Sequence, residues 1–188
     1  MDRATKILLA IGGAIGLYLY LNRQQVTNTA IDIEADVSGW KNVQQGPKWV
    51  PYIEFVEQQL GIPPDLLARM AYQESRFRED IITGTTASSA GALGILQLMP
   101  AFFKSVQVPV PFTDADTQAQ IQEAGNYIVS LYKQFGDWGT ALAAYNFGPG
   151  NEQKALAGQL QLPAETVNYV TQILADVDVG GSGDTVNA

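Results

Sequence analysis

The chain has neither cysteine nor histidine in its 188 residues. Without cysteine no disulfide can brace it, and its compartment need not be oxidising. Without histidine a serine–histidine–aspartate triad is impossible. A zinc site would need an all-carboxylate shell, which zinc rarely accepts, so no metal and no cofactor is expected. Any general acid or base must be Asp, Glu, Lys or Tyr. Charge is sparse and lopsided: 11 Lys and Arg stand against 19 Asp and Glu, a net of −8. No dense Lys/Arg run offers the phosphate-neutralising patch that nucleic acid needs, so no nucleic-acid partner is expected. An anionic polymer would have to be held by short-range contacts rather than drawn in from a distance.

What is present divides the chain in four. Residues 1–24 hold an unbroken run of apolar residues and Gly, Ile7 to Leu21, with Arg3 and Lys6 before it and Arg23 after it. The run is short against the roughly 20 apolar residues that span a bilayer. Tyr18 and Tyr20 suit an interface, and Lys6 and Arg23 can snorkel. It reads as an N-terminal hydrophobic helix anchoring the chain in a membrane. A signal segment is the rival reading, with only a poor cleavage site around Thr27 to Ala30. Residues 25–46 are polar and partly acidic and read as a linker. Residues 47–175 carry helical periodicity almost throughout and read as one domain, large enough to bury a core. Residues 176–188, with Gly180-Gly181-Ser182-Gly183, read as a flexible tail.

Within the domain the expected helices are Val50 to Gln59, Pro63-Pro64-Asp65 onward to about Arg78, Ile95 to Val106 (one helix, or two with Pro100 opening the second), Asp116 to Phe135, Thr140 to Asn146, a turn at Ala155 to Gly158, and Pro163 to Asp176. Residues 79–93 are rich in Thr, Ser, Gly and Ala and read as a loop or small β element, and Val108 to Asp114 as a loop. The fold class is mostly α.

On the second helix Leu67, Met70, Glu74 and Phe77 fall at i, i+3, i+7 and i+10, one face of a helix. That face is apolar except for Glu74. Burial disfavours the charged form of a carboxyl, and a carboxyl that keeps its proton near neutral pH can donate it to a glycosidic oxygen. Periodicity alone equally allows a Glu at the margin of the stripe, exposed or paired with Arg78 or Arg69.

Four blocks occur in order: Glu74-Ser75; Gly94-Ile95-Leu96-Gln97-Leu98-Met99-Pro100; Ala144-Tyr145-Asn146-Phe147-Gly148-Pro149-Gly150; and Tyr169-Val170. Together they resemble the soluble lytic transglycosylase family, whose pattern runs E-S, G-L-M-Q-x-M-P, A-Y-N-x-G-x-G and a tyrosine in the last helix. The resemblance covers residues 50–173. It implies a goose-type-lysozyme-like helical fold and peptidoglycan glycan strands as substrate. It implies Glu74 as the single catalytic carboxyl and Gln97 and Met99 as groove residues touching the glycan. Ser88, three residues before Gly91, is similar to a substrate-contacting serine of the family. Tyr127 resembles a tyrosine that points at the catalytic carboxyl, and Tyr145, Asn146 and Tyr169 match the remaining blocks. Each has a plainer rival: Gln97 as a cap, Met99 as core, the tyrosines as core aromatics with satisfied hydroxyls. Leu96 replaces the family's usual Met, Thr83-Gly84-Thr85-Thr86 looks like an insertion, and Ala124 stands where Gly is common, next to Gly125.

Most glycosidases use two carboxylates, but these blocks contain one acid. The resemblance therefore implies a lytic transglycosylase, in which Glu74 acts first as acid and then as base. A hydrolytic goose-type lysozyme would need a second carboxylate, with Asp80, Asp114 and Asp116 as candidates. A non-catalytic wall-binding module is a further alternative. The expected setting is a membrane anchor with the domain facing the cell wall, or a phage virion, with phage-particle or secretion-complex proteins as partners.

Overall fold

The computed structural model of the protein describes residues 39–179. The expected anchor at Ile7 to Leu21, most of the linker and most of the tail lie outside the described residues. Among the described residues no helix is long and apolar enough to cross a membrane. The chain divides into two compact units, one formed by Ser38–Val129 and one that includes the chain from Ser130 onward.

The first unit begins with a 3-10 turn at Trp40–Asn42 and then α1, Gly46–Leu60. Helix α1 starts earlier than its hydrophobic pattern suggests, because Pro47 suits a first turn. Trp49, Ile53 and Val56 bury one face. Helix α2, Leu66–Ser75, packs on α1, with Leu66, Leu67, Met70 and Ala71 fully buried. Lys41 ties the opening turn to both helices through Glu54 and Asp65. Burial opposes its charge, but these two carboxylates outweigh that and raise its pKa. A short helix, α3, covers Glu79–Ile82 inside the segment expected to be loop.

The expected helix from Ile95 to Val106 does not form. Leu93 and Leu98 instead pair as an isolated antiparallel bridge, with N–H···O distances of 3.0 and 2.9 Å. The turn between them has positive φ at both Gly94 (78°) and Gln97 (48°), which no α-helix accommodates. Ile95, Leu96 and Leu98 are buried all the same, so the apolar pattern recorded burial rather than helix. Only Lys104–Val106 winds, as a 3-10 turn.

Helix α4, Asp114–Phe135, belongs to the first unit through Val129. Thr117, Gln120, Ile121, Ala124 and Ile128 are its buried stripe there. Gly125 allows close approach: a Cβ on it would stand 2.9 Å from Leu60 Cδ1 and 3.1 Å from Val56 Cγ1.

In the second unit, α5 spans Trp138–Phe147. Asp137 caps it, accepting both the N–H and the hydroxyl of Thr140 at 2.8 Å. Its core run Ala141 to Ala144 is fully buried, as befits a helix apolar on all sides. Helix α6, Pro149–Leu156, and α7, Ala164–Asp176, both pack on α5. Tyr132 stacks on Trp138 with ring centroids 4.2 Å apart. The described residues are therefore mostly helical, with the Leu93–Leu98 bridge as a small β element.

Candidate active site

Glu74 is the penultimate residue of α2 and is half-buried. The helix stops one residue later, not at Arg78. The reason is local: the Ser75 hydroxyl donates to the Ala71 carbonyl at 2.8 Å and accepts the Phe77 N–H at 3.2 Å, offering the backbone an alternative to the next helical bond. Arg76 and Phe77 then take positive φ of 51° and 52°. Phe77 is fully buried, but through this turn rather than as the next rung of the stripe. The Glu-Ser pair thus has physical content, since the serine ends the helix directly behind the carboxyl. Arg78 is engaged elsewhere, by both carboxylate oxygens of Asp80, at 3.1 and 2.7 Å.

Ser88 is exposed and closes a tight turn: its hydroxyl accepts the Ala92 N–H at 2.9 Å and its own N–H reaches the Ala92 carbonyl at 3.0 Å. That turn leads into the Leu93–Leu98 bridge, where Gln97 and Met99 are both half-buried. The Gln97 amide donates to the Gly94 carbonyl at 3.0 Å, beside its own N–H at 3.1 Å, so the side chain folds back along the turn. Tyr127, on α4, is half-buried and meets Phe103 edge-on, with centroids 5.1 Å apart. Burial pushes its hydroxyl pKa up. Ser88, Gln97 and Met99 therefore share one continuous loop, and Tyr127 packs on that loop's continuation.

In the second unit Tyr145 and Asn146 lie half-buried in the last turn of α5, while Tyr169 is buried on α7. The side-chain amide oxygen of Asn146 accepts the Thr166 hydroxyl at 2.8 Å, which joins the A-Y-N block to the helix that carries Tyr169.

Three polar residues that the sequence did not single out are almost wholly buried. Glu57 is 2% exposed and accepts the N–H groups of Asp65 and Ala68 at 2.9 Å each. Burial pushes its carboxyl up to about 7 against the pull of those donors. Glu152, on α6, is fully buried, and burial followed by the charge of Asp137 pushes it up to about 7. Gln120 is buried beneath Gly94. A signal existed for Glu57, which follows Val50 and Ile53 at helical spacing, as Glu74 follows Leu67 and Met70. Among the described residues no group of three or more acidic side chains is placed to hold a metal ion.

A protein of Enterobacteria phage PRD1 named "Transglycosylase" is 28% identical to this chain over 141 residues, which is 74% of the chain and 47% of the relative. The chain thus spans about half the length of that relative. The model of the transglycosylase SLT domain family matches residues 51–168, more than half of the chain and a stretch that holds Glu74, the Gly94–Pro100 loop and the A-Y-N block. By that match the chain belongs to the transglycosylase SLT domain family.

Proposed function

We propose that the chain is a lytic transglycosylase that cleaves the β-1,4 bond from MurNAc to GlcNAc in peptidoglycan and leaves 1,6-anhydro-MurNAc ends. The family match carries this reading. Glu74 is its only acid and base. Protonated Glu74 gives its proton to the bridging oxygen as the C1–O bond breaks and GlcNAc departs. The 2-acetamido oxygen of MurNAc covers the cationic C1. The Glu74 carboxylate then takes the proton of the C6 hydroxyl while O6 closes on C1 and displaces the acetamido oxygen. The acid is regenerated and no water is consumed. Ser88, Gln97, Met99, Tyr127, Tyr145, Asn146 and Tyr169 bind the glycan or orient the acid.

The environments of the three rival carboxylates favour this over hydrolysis. Hydrogen bonds from Arg78 hold Asp80 below the usual carboxylate range. The Thr113 hydroxyl does the same for Asp116. Asp114 pairs with Lys48 at 2.6 Å. Each is engaged in local structure, and the lowered pKa values of Asp80 and Asp116 make those two poor bases for water.

The phage origin of the relative and the apolar run Ile7 to Leu21 support a role in opening the wall locally. The chain would act from a membrane or a virion, beside phage-particle or secretion-complex proteins. Mass spectrometry of peptidoglycan digested by the chain tests the reaction. Anhydro ends are expected. Reducing ends alone would make the enzyme a hydrolase, and no release at all would overturn the enzymatic reading.

A further inference from the structure

Gln120 sits on the buried stripe of α4 with none of its surface exposed. Neither atom of its amide has a hydrogen-bond partner among the described residues. An unpaired buried amide is costly, and an apolar side chain of the same volume would avoid that cost. Its placement is specific. A Cβ on Gly94 would fall 2.0 Å from Gln120 Oε1, 2.7 Å from Cδ and 3.2 Å from Nε2. The amide, its oxygen foremost, therefore occupies the space a side chain at Gly94 would take. Gly94 also needs its positive φ of 78°, so two independent constraints exclude any other residue. The Gly94 carbonyl in turn holds both the N–H and the side-chain amide of Gln97.

We propose that Gln120 is a positioning residue for the glycan-binding turn: its amide fixes the Gly94 peptide, and through it the direction in which Gln97 presents its side chain. The polar group is kept at a buried site because its dipole orients that peptide. An apolar residue would fill the space but leave the peptide held by the Gln97 hydrogen bonds alone. Gln120 touches no substrate and acts through Gly94 alone. The proposal deepens the transglycosylase reading and rests on it for its effect on turnover.

The test is Gln120→Leu in the full chain, alone and combined with Gln97→Ala. The single variant should keep or raise the melting temperature, since it removes an unpaired polar group. Its kcat/KM on peptidoglycan should fall on the order of tenfold, chiefly through KM, as expected for a misplaced binding group. In the Gln97→Ala background the same change should have almost no effect, because the group it positions is gone. Gln120→Asn, which keeps an amide, should recover part of the loss. Amide hydrogen exchange supplies a readout that needs no turnover. Exchange at Gln97 and Leu98 should quicken in Gln120→Leu, while α1 and α2 stay protected. Parental kcat/KM, equal losses in both backgrounds, or unchanged exchange at Gln97 and Leu98 would each overturn the positioning role. If the parent chain releases nothing from peptidoglycan, the transglycosylase reading fails, and the exchange measurement still decides whether Gln120 holds the turn.

Discussion

The carboxyl of Glu57, on α1, accepts the backbone N–H of Ala68, on α2, at 2.9 Å. The helix that carries Glu74 is thus capped by a residue outside itself. Its own cap position, Asp65, has a positive φ of 71° and makes no side-chain cap bond; its N–H goes to the same Glu57 carboxyl. Glu57→Ala removes an acceptor from two helix-start donors and leaves them buried. It should lower unfolding free energy by about 2–4 kcal/mol in urea titrations. Glu57→Gln, which retains one acceptor oxygen, should lose less. Equal stability of Glu57→Ala and parent would show that the cap contributes nothing.

Glu74→Gln keeps the shape of the side chain and removes its proton chemistry. If Glu74 is both acid and base, release of anhydro-muropeptides should fall by about a thousandfold or more. The melting temperature should stay near that of the parent, because the residue is half-buried rather than part of the core. A variant that still clears peptidoglycan at a comparable rate would remove Glu74 from the mechanism.

Glu57 and Glu74 also show what the sequence could and could not reveal. Both are carboxyls on an apolar stripe at helical spacing, and the one that is almost fully buried is Glu57, a cap. Periodicity does not distinguish the two; only the ordered blocks around Glu74 single it out. The long helices were legible because each has a full apolar stripe and a clear stop, as at Gly61 after α1 and Gly136 after α4. The segment Ile95 to Val106 reads as helix in the sequence because a run of buried apolar residues fits a helix and a folded turn equally. The deciding feature, positive φ at Gln97, leaves no mark in composition. Glu152 was invisible for a related reason: it stands on a short helix with no apolar stripe to be measured against.

The burial that raises the pKa of the Glu152 carboxyl fixes the sign of the pH dependence expected from it. That carboxyl ordinarily titrates near 4.5 and is pushed up to about 7 in the fold. Glu57 behaves likewise. Below about pH 4.5 both groups are protonated whether the chain is folded or not, and neither costs stability. As pH rises toward 7 the unfolded chain gives up these protons and the folded chain keeps them, so stability falls, and above 7 the loss is complete. Each group can account for up to about 3 kcal/mol. Asp80, Asp116 and Glu123 have lowered values. They act in the opposite sense, losing stability as pH falls below their ordinary range. Glu152→Gln should flatten the fall between about pH 4.5 and 7 and exceed the parent in stability above about pH 8. Identical pH profiles for parent and variant would show that Glu152 does not carry the effect.

Asn146 carries a constraint that its motif does not announce. The hydrogen bond from the Thr166 hydroxyl, at 2.8 Å, commits the amide oxygen and so orients the –NH2 end for any glycan contact. Thr166 is itself almost fully buried. Thr166→Val is nearly isosteric and removes only the donor. It leaves the Asn146 oxygen without that partner, which should cost about 1–2 kcal/mol of stability. If Asn146 meets the glycan, KM should rise several-fold with kcat little changed, because the amide loses its fixed direction while Glu74 is untouched. Urea titration and initial rates on soluble glycan strands measure the two effects separately. A loss of stability with unchanged KM would assign the Asn146–Thr166 pair to holding α5 against α7 alone. A rise in KM that persists after correction for the folded fraction would place Asn146 among the groups that bind the glycan.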